Sequence, residues 1–178
     1  MFNWIKKKWK EHLEHQSEKE FENYLKYIDD CCKKETNQVI FNFSRRGFKH
    51  IYSCLIGEAK FKIYIVVEKY DELFDDDMFY LLKLKAKQGI KIIIISCNDD
   101  DKFNELAKEF KDNVEYYLII LKEDGKLNNE IILVDYYSYW IKDKNYSFKA
   151  QVNFHDYLFS SKLLELISKT IKNAKNIF

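Results

Sequence analysis

Hydrophobic residues alternate between two patterns through the middle of the chain. Short apolar runs rich in β-branched and aromatic residues predict buried strands at residues 61–67, 90–96 and 114–121. The segments between these runs carry apolar residues at helical spacing, and each begins at a cluster of aspartates. A strand–helix–strand–helix–strand succession of this kind implies parallel strands joined by right-handed crossovers.

The spacing changes after residue 129. Strands are predicted at residues 130–135, 138–141 and 147–154, and their short connections favour antiparallel pairing. A last helix begins at Asp156 or Ser160. Its predicted apolar face comprises Phe159, Leu163, Leu166, Ile167, Ile171 and Ala174. The predicted fold class is therefore α/β, with a mixed β-sheet flanked by helices.

The N-terminal part predicts a long helical arm before this domain. Residues 2–34 carry apolar positions at helical spacing, and a polar link leads to a short strand at residues 39–43. Ser44 is a suitable N-cap for the next helix. The apolar stripe of that helix comprises Phe48, Ile51, Tyr52, Leu55, Ile56 and Ala59. We expect a helical arm over residues 1–36 and an α/β domain over residues 37–178.

The first half of the arm mixes tryptophans with lysines. Trp4 and Trp9 alternate with four candidate binding residues, which are Lys6, Lys7, Lys8 and Lys10. Such a helix could lie on an anionic membrane through residues 1–20, dock on a partner, or pack on its own domain with solvated lysines. The sequence leaves these three alternatives open.

A second basic group falls in the first turns of the helix after Ser44. Its members are Arg45, Arg46 and Lys49. Cations are unfavourable at this end of a helix, because the helix dipole there attracts anions. The group is either a solvated face or a contact for phosphate or an acidic partner, and the three residues are retained as candidate binding residues.

Composition and charge narrow the function classes. The chain has 178 residues, 47% of them hydrophobic, so it can bury a substantial core. It holds 30 basic and 29 acidic residues, for a net charge of +1, whereas proteins that mainly bind DNA phosphate usually carry a larger positive excess. The N-terminus lacks the apolar segment of a secretion signal, and the longest apolar runs are too short to span a bilayer.

The four cysteines carry no C-x-x-C pair and lie in or beside apolar stretches. They are Cys31, Cys32, Cys54 and Cys97. We interpret them as reduced thiols of a cytoplasmic protein rather than as part of a metal site with His50. We expect no bound metal and no cofactor.

The aspartate clusters and the other histidines have ordinary explanations as well as chemical ones. Residues 75–77 and 99–101 follow predicted strands, where carboxylates could hold Mg²⁺, but helix caps and first turns also favour aspartate. His12 and His15 lie three residues apart with no further ligand nearby, and His155 follows a strand end. We expect capping for the aspartates, surface positions for His12 and His15, and a capping or solvent-facing position for His155.

The order of these elements resembles the compact single-repeat branch of the phospholipase D-like superfamily, over roughly residues 39–174. The signature of that family is His-x-Lys, four residues, Asp, six residues, Gly-Ser-x-Asn. Aligned on Asp135, Asn128 replaces the histidine and Glu130 replaces the lysine. Lys142 and Asp143 replace Gly-Ser, and Asn145 matches the final asparagine. The resemblance implies that Asn128, Glu130, Asp135 and Asn145 are the positions of a degenerate signature.

These departures indicate a silent active site. The resemblance implies a histidine nucleophile and a lysine that stabilises developing negative charge. An asparagine is a poor nucleophile, and a glutamate would repel an anionic phosphoryl transition state. We therefore expect a catalytically inactive phospholipase D-like domain that serves as a binding or assembly module. The resemblance also implies a homodimer, and its further partner could be a protein or a nucleic acid.

Two alternatives remain at this stage. One is a metal-dependent nuclease or phosphodiesterase that uses other residues, such as the aspartate clusters. The other is a peripheral membrane or complex-anchoring protein that acts through its N-terminal helix. No single feature of the sequence excludes either.

Overall fold

The computed structural model describes residues 2–42, 44–68, 70, 74–119, 129–143 and 150–177, with the side chains of residues 2–16 and of Asp143 left out. The helices are α1 (Phe2–Lys33), α2 (Arg45–Gly57), α3 (Asp76–Lys87), α4 (Asp101–Glu109) and α5 (Tyr157–Lys172). The strands are β1 (Ile40–Asn42), β2 (Lys62–Val67), β3 (Lys91–Ser96), β4 (Val114–Leu118), β5 (Asn129–Val134), β6 (Ser138–Asp143), β7 (Ala150–Asn153) and β8 (Lys175–Asn176).

The described strands form one mixed sheet in the order β1-β7-β6-β5-β2-β3-β4-β8. β2, β3 and β4 are parallel, as the helical crossovers between them require. β5, β6 and β7 follow in antiparallel order, and β5 pairs with β2 at the centre of the sheet. The predicted α/β fold with a mixed, helix-flanked sheet is confirmed.

The central strands are buried on both faces. Alternate residues such as Ile65 and Ile94 face a large core beneath α1, α2, α3 and α4, whereas Val66 and Ile95 face a smaller core under α5. A strand covered on both sides needs apolar residues at every position. This requirement explains the uninterrupted apolar runs from which β2 and β3 were predicted.

The predicted helix starts coincide with the caps. The hydroxyl of Ser44 accepts a hydrogen bond from the backbone N–H of Gly47, and α2 buries the predicted stripe. Asp75, Asp100 and Asp156 cap α3, α4 and α5 in the same way. Each carboxylate satisfies backbone donors that have no partner within the helix.

The second half of α1 packs into the main core. Ile28 is fully buried, Cys31 and Cys32 are nearly so, and Tyr24 and Leu25 pack against the same cluster. The helix of the predicted arm is confirmed, but its C-terminal half contributes to the domain's own packing. The division at residue 36 stays a prediction, and the side chains of the Trp/Lys segment lie outside the described residues.

Three details differ from the sequence-based expectations. The short edge strand β8 was not predicted, and it pairs with β4 after α5 ends. Leu166, placed on the buried face of α5, is 50% exposed, and Ser160 is fully buried in the same helix. The start of the strand predicted at residues 147–154 lies outside the described residues. Among the helices described, none combines the length and the apolarity needed to cross a bilayer.

Candidate functional site

One edge of the sheet carries Glu130 and the aspartate clusters singled out by the sequence. The parallel strands β2, β3 and β4 end at this edge. Helices α2, α3 and α4 begin at the same edge, because each helix runs in the direction opposite to its neighbouring strands in the chain. β5 starts at this edge and β6 ends at it, since both pairings are antiparallel. Ligand sites of open α/β sheets usually lie at this edge.

Glu130 and Lys142 form an ion pair at this edge. They are direct partners in the β5–β6 register, and Lys142 Nζ lies 2.9 Å from Glu130 Oε2. The Glu130 side chain is 6% exposed and that of Lys142 15% exposed, so the pair is largely withdrawn from water. Two opposite charges this close cancel most of each other's field. The edge therefore carries a neutralised pair in place of a free cation.

Cys97 is a further candidate nucleophile at this edge. Cys97 follows β3 at the same edge. Burial raises the pKa of the Cys97 thiol, and the negative charge of Glu130 raises it further. A thiol with a raised pKa stays protonated and is a weak nucleophile near neutral pH. Cys97 is therefore not an activated thiol.

Asp135 lies at the opposite end of β5. It is five positions beyond Glu130 along the chain, which in an extended strand is a distance of about 17 Å. Its buried carboxylate accepts hydrogen bonds from three consecutive backbone N–H groups, at 2.6 Å from Lys60 and at 2.8 Å from both Phe61 and Lys62. Asp135 thus ties the β5–β6 hairpin to the start of β2. In this chain the one acidic match to the signature is a structural residue.

Asn128 and Asn145 lie outside the described residues. Of the four signature positions, the structure therefore places Glu130 at the candidate site and Asp135 away from it. Sequence reasoning noted Lys142 as a replacement of glycine but missed its contact with Glu130. The hairpin register would have shown it, because a three-residue turn at 135–137 sets residue 130 opposite residue 142.

The basic residues at the start of α2 are engaged with acids and an aromatic ring. Arg46 lies 2.7 Å from Glu18 and stacks its guanidinium 4.5 Å from the ring centroid of Phe21. Lys49 forms an ion pair with Asp75. Burial opposes ionisation of Asp75, but Lys49 and the Met78 N–H outweigh it, and Arg45 adds to them, so the pKa of Asp75 is lowered. These contacts reduce the charge available for phosphate.

The aspartate clusters serve mainly as caps and partners. Asp75 and Asp100 are the N-caps already described, Asp76 lies 3.5 Å from Lys102, and Asp99 accepts a hydrogen bond from Asn104. Within the described part of the chain, neither cluster gathers three ligand atoms in the way a metal site needs. The expected capping is confirmed for Asp75 and Asp100, and Asp76, Asp77 and Asp101 lie in the first turns of the same helices.

The remaining candidates are dispersed. The side chains of Lys6, Lys7, Lys8, Lys10, His12 and His15 are not described, so their roles stay predictions. His155 is partly buried at the far edge, where its Nδ1 lies 3.6 Å from Glu35 and its ring packs between two tyrosines. It is not close to Glu130. Of the signature residues that the structure describes, Glu130 thus lies at this edge, and its partner Lys142 was not among the predicted site residues.

Comparison with known proteins rests on structure alone. No protein-family model matches the chain, and no curated protein matches it. Among solved structures, Nuc from Salmonella typhimurium, a phospholipase D family member, matches with a TM-score of 0.61 at 14% identity. The match covers 78% of this chain and 97% of Nuc. The chain has the phospholipase D-like fold.

Two further structures bear on this phospholipase D-like fold. NucT from Helicobacter pylori matches with a TM-score of 0.63 at 15% identity, over 79% of this chain and 99% of NucT. TrmBL2, an archaeal chromatin protein with a novel mode of DNA binding, matches with a TM-score of 0.61 at 14% identity. That match covers 96% of this chain and 67% of TrmBL2. The likeness to TrmBL2 therefore extends over nearly the whole chain, where the NucT match leaves about a fifth uncovered.

Proposed function

We propose that this protein is a binding and assembly module built on a phospholipase D-like scaffold without phosphodiesterase activity. The observation that supports the proposal most is the Glu130–Lys142 pair, at 2.9 Å and largely buried. A carboxylate stands where the family signature has a lysine, and Lys142 on the neighbouring strand is already paired with it.

The electrostatics of phosphoryl transfer explain why this arrangement disfavours catalysis. The transition state carries negative charge on the phosphoryl oxygens, so an active site must offer preorganised positive charge or hydrogen-bond donors. At this position the Lys142 ammonium is neutralised and the Glu130 carboxylate repels an anion. Loss of one such partner costs on the order of 3 kcal/mol of transition-state stabilisation, or about a hundredfold in rate. Asn128 in place of the nucleophile adds a further loss.

A hydrolysis assay tests the absence of activity. The purified full chain is incubated with bis(p-nitrophenyl) phosphate and with labelled single- and double-stranded DNA and RNA, in Mg²⁺, Mn²⁺ or EDTA. We expect no turnover above the buffer rate in any arm. Turnover in EDTA that Glu130→Gln abolishes would contradict the proposal. Metal-dependent cleavage that Asp99→Ala abolishes would instead support a nuclease acting through the aspartate clusters.

A variant with three of the four replaced signature residues restored provides the positive control for this assay. Asn128→His, Glu130→Lys and Lys142→Gly together return the histidine, the lysine and the glycine to their signature positions. The fold already matches phospholipase D-like proteins, so we expect this triple variant to show phosphodiesterase turnover that Asn128→His alone does not show. If the triple variant shows no more phosphodiesterase turnover than the wild type, the role given to the Glu130–Lys142 pair is contradicted.

The assembly part of the proposal is a homodimer. The family resemblance implies it, and Leu158 and Leu166, exposed by 73% and 50% on α5, offer apolar surface that a second copy could cover. Sedimentation equilibrium of the full chain at micromolar concentration tests this step. A monomer at all concentrations would contradict it. A dimer unaffected by Leu158→Asp and Leu166→Asp would place the interface elsewhere on the chain.

Nucleic acid is the second candidate partner, favoured by the 96% coverage in the match to TrmBL2. Fluorescence anisotropy with labelled duplex DNA tests it over a range of salt concentrations, because binding through phosphates weakens steeply with salt. We expect Lys6→Glu with Lys8→Glu to weaken binding, and the control pair Lys169→Glu with Lys172→Glu on α5 to leave it unchanged. Equal losses from both pairs would indicate a nonspecific charge effect. Sedimentation with anionic liposomes, using the same variants, separates the membrane alternative.

A further inference from the structure

Asp29, His50 and Cys54 meet where α1 crosses the middle of α2. His50 Nε2 lies 2.7 Å from Asp29 Oδ1, and the Cys54 thiol donates to the same oxygen at 3.5 Å. The carboxylate oxygen, ring nitrogen and sulfur all lie within 4.8 Å of one another. All three side chains are partly buried, so the cluster is neither a solvated surface pair nor closed to solvent.

The spacing along each helix places these groups on facing sides. His50 and Cys54 are four residues apart on α2, which sets them one above the other on one face. Asp29 and Cys32 are three residues apart on α1, and Cys32 lines the same pocket as Cys54. Two helices thus bring three groups of metal-ligand type to a common point, with Cys32 one turn along α1 from Asp29, and this pattern is not part of the phospholipase D-like signature.

The distances suit a tetrahedral metal ion. Zinc binds carboxylate oxygen, imidazole nitrogen and thiolate sulfur at about 2.0–2.3 Å, so its ligand atoms lie about 3.3–3.8 Å from each other. The three atoms here need only small side-chain rotations to reach that spacing. The hydrogen bond between Asp29 and His50 is sufficient to hold α1 against α2. It does not explain why two cysteines, Cys32 and Cys54, lie beside it.

Solvent can reach the cluster from one side. A pocket of about 180 Å³ is lined in part by Cys32 and Cys54, next to the end of α1. An entry path of this kind is one of the requirements for loading a metal after folding.

We propose that Asp29, His50 and Cys54 bind one divalent transition-metal ion, zinc by the preference of this ligand set, with Cys32 as the fourth ligand. The site fastens α1 to α2, because each helix supplies two ligands. On binding, the two thiols lose their protons to solvent and coordinate as thiolates. The proposal is independent of the proposed function, and it replaces the expectation from the sequence that the protein binds no metal.

Cobalt spectroscopy tests the site directly. The full chain is reduced, stripped with a chelator and titrated with CoCl₂ alone. Tetrahedral Co²⁺ with thiolate ligands gives intense visible bands and a thiolate-to-cobalt charge-transfer band in the near ultraviolet. We expect both bands to saturate at one equivalent and to disappear on addition of one equivalent of Zn²⁺. A wild-type spectrum without the charge-transfer band would overturn the proposal.

Variants assign the ligands. Cys54→Ser and Cys32→Ser should each remove about half of the charge-transfer intensity, because each removes one of two thiolates. His50→Ala should shift the visible bands and weaken binding. The matched controls are Cys97→Ser and His155→Ala, which should leave the titration unchanged. Charge-transfer intensity that survives Cys54→Ser intact would overturn the site, and intensity that survives Cys32→Ser intact would overturn the fourth ligand.

A stability measurement covers the case in which a variant perturbs folding. Circular dichroism verifies each variant, and Asp29→Asn serves as a mild substitution of similar shape. Zn²⁺ should raise the midpoint of thermal unfolding of the wild type, and the rise should be absent in Asp29→Asn and present in Cys97→Ser. An equal rise in Asp29→Asn and in the wild type would overturn the proposal.

Discussion

Glu130 and Lys142 are joined across the β5–β6 ladder by a 2.9 Å contact between Oε2 and Nζ. The pair lies at the edge where the parallel strands end, with both side chains largely buried. A buried ion pair contributes little net stability compared with apolar residues, but breaking it leaves one unpaired charge at high cost. The pair is thus the reason to expect a site without catalytic activity. It is also a position at which removing one charge should destabilise the fold.

The first prediction concerns this sensitivity. Lys142→Met keeps the apolar stem and removes the charge, so the Glu130 carboxylate is left buried without a partner. We expect a loss of about 3 kcal/mol in the free energy of unfolding, measured by urea denaturation at neutral pH. The double variant with Glu130→Met should recover most of that loss.

An exposed ion pair serves as the control for this experiment. Lys34 and Asp30 are 3.3 Å apart with side chains about two-thirds exposed. Lys34→Met should change stability by less than about 1 kcal/mol. If the double variant with Glu130→Met is no more stable than Lys142→Met alone, Glu130 and Lys142 do not form a buried ion pair in the folded protein.

Asp135 carries the second prediction. Asp135→Ala removes an acceptor of three backbone N–H groups, and it places alanine at a φ of 50°, which asparagine and aspartate tolerate better. We expect a loss of more than about 3 kcal/mol, and a smaller loss for Asp135→Asn, which keeps one acceptor oxygen.

The comparison variant for Asp135 is Asp156→Ala, which removes a single cap. Asp156 accepts one hydrogen bond, from the N–H of Phe159 at 3.0 Å, so its loss should cost about 1 kcal/mol. Equal losses at the two positions in urea denaturation would show that Asp135 does not organise the hairpin.

Much of the fold could be predicted because local patterns decide it. The apolar runs of β2 and β3 require burial on both faces, and Ser44, Asp75 and Asp100 mark helix starts by the donors they satisfy. These signals act within a few residues of chain. They needed no knowledge of distant contacts.

The features that could not be predicted depend on distant pairing. β8 has two residues and no apolar pattern, and it forms only because α5 ends beside β4. Lys85 lies buried inside α3, where its ammonium donates to the carbonyls of Gly57 and Ala59 at the end of α2. Asp29 contacts His50 and Cys54 only because α1 packs on α2. The spacing of residues within one segment carries no information on contacts between different helices and strands.

The candidate site was predictable in part for the same reason. The signature alignment identified Glu130 from its position relative to Asp135, which is a local count along one strand. It did not reveal that these two residues act at opposite ends of that strand. Their separation follows from the length of β5, and their different partners follow from the neighbours of each strand end.

Gly47 supports the third prediction. A Cβ at Gly47 would overlap the side-chain oxygen of buried Asn42 and would meet Ser44 Oγ at 3.0 Å. Alanine is the better helix former, but overlap with a buried group outweighs a gain of about 1 kcal/mol. We therefore expect Gly47→Ala to lower the free energy of unfolding by about 1–3 kcal/mol.

A second glycine of the same helix provides the matched control. Gly57 has open space around its Cβ position, so Gly57→Ala should be neutral or stabilise by up to about 1 kcal/mol. Thermal and urea unfolding of both variants measure the difference. Stabilisation by Gly47→Ala would show that Asn42 does not pack on the first turn of α2.

The fourth prediction is a pH dependence at Asp75. Partial burial opposes its ionisation, but Lys49 and the Met78 N–H outweigh it and hold the pKa below its ordinary value of 3.8. A lowered pKa in the folded state stabilises the protein above the unfolded pKa, and this contribution is lost as the pH falls through the folded pKa. We expect the stability gap between wild type and Asp75→Asn to be full near pH 6 and to shrink below about pH 4.

Substitution of Lys49 allows this pH dependence to be assigned to the Lys49–Asp75 ion pair. Asparagine keeps the N-cap function, so Asp75→Asn removes the charge and leaves the cap, whereas Asp75→Ala should cost about 1 kcal/mol more. The effect of Lys49→Met on unfolding should decrease below pH 4 in the wild-type background, because protonated Asp75 no longer attracts the ammonium. In the Asp75→Asn background the same substitution should have an effect that does not vary with pH. Equal pH slopes in the two backgrounds would assign the acid sensitivity to other carboxylates.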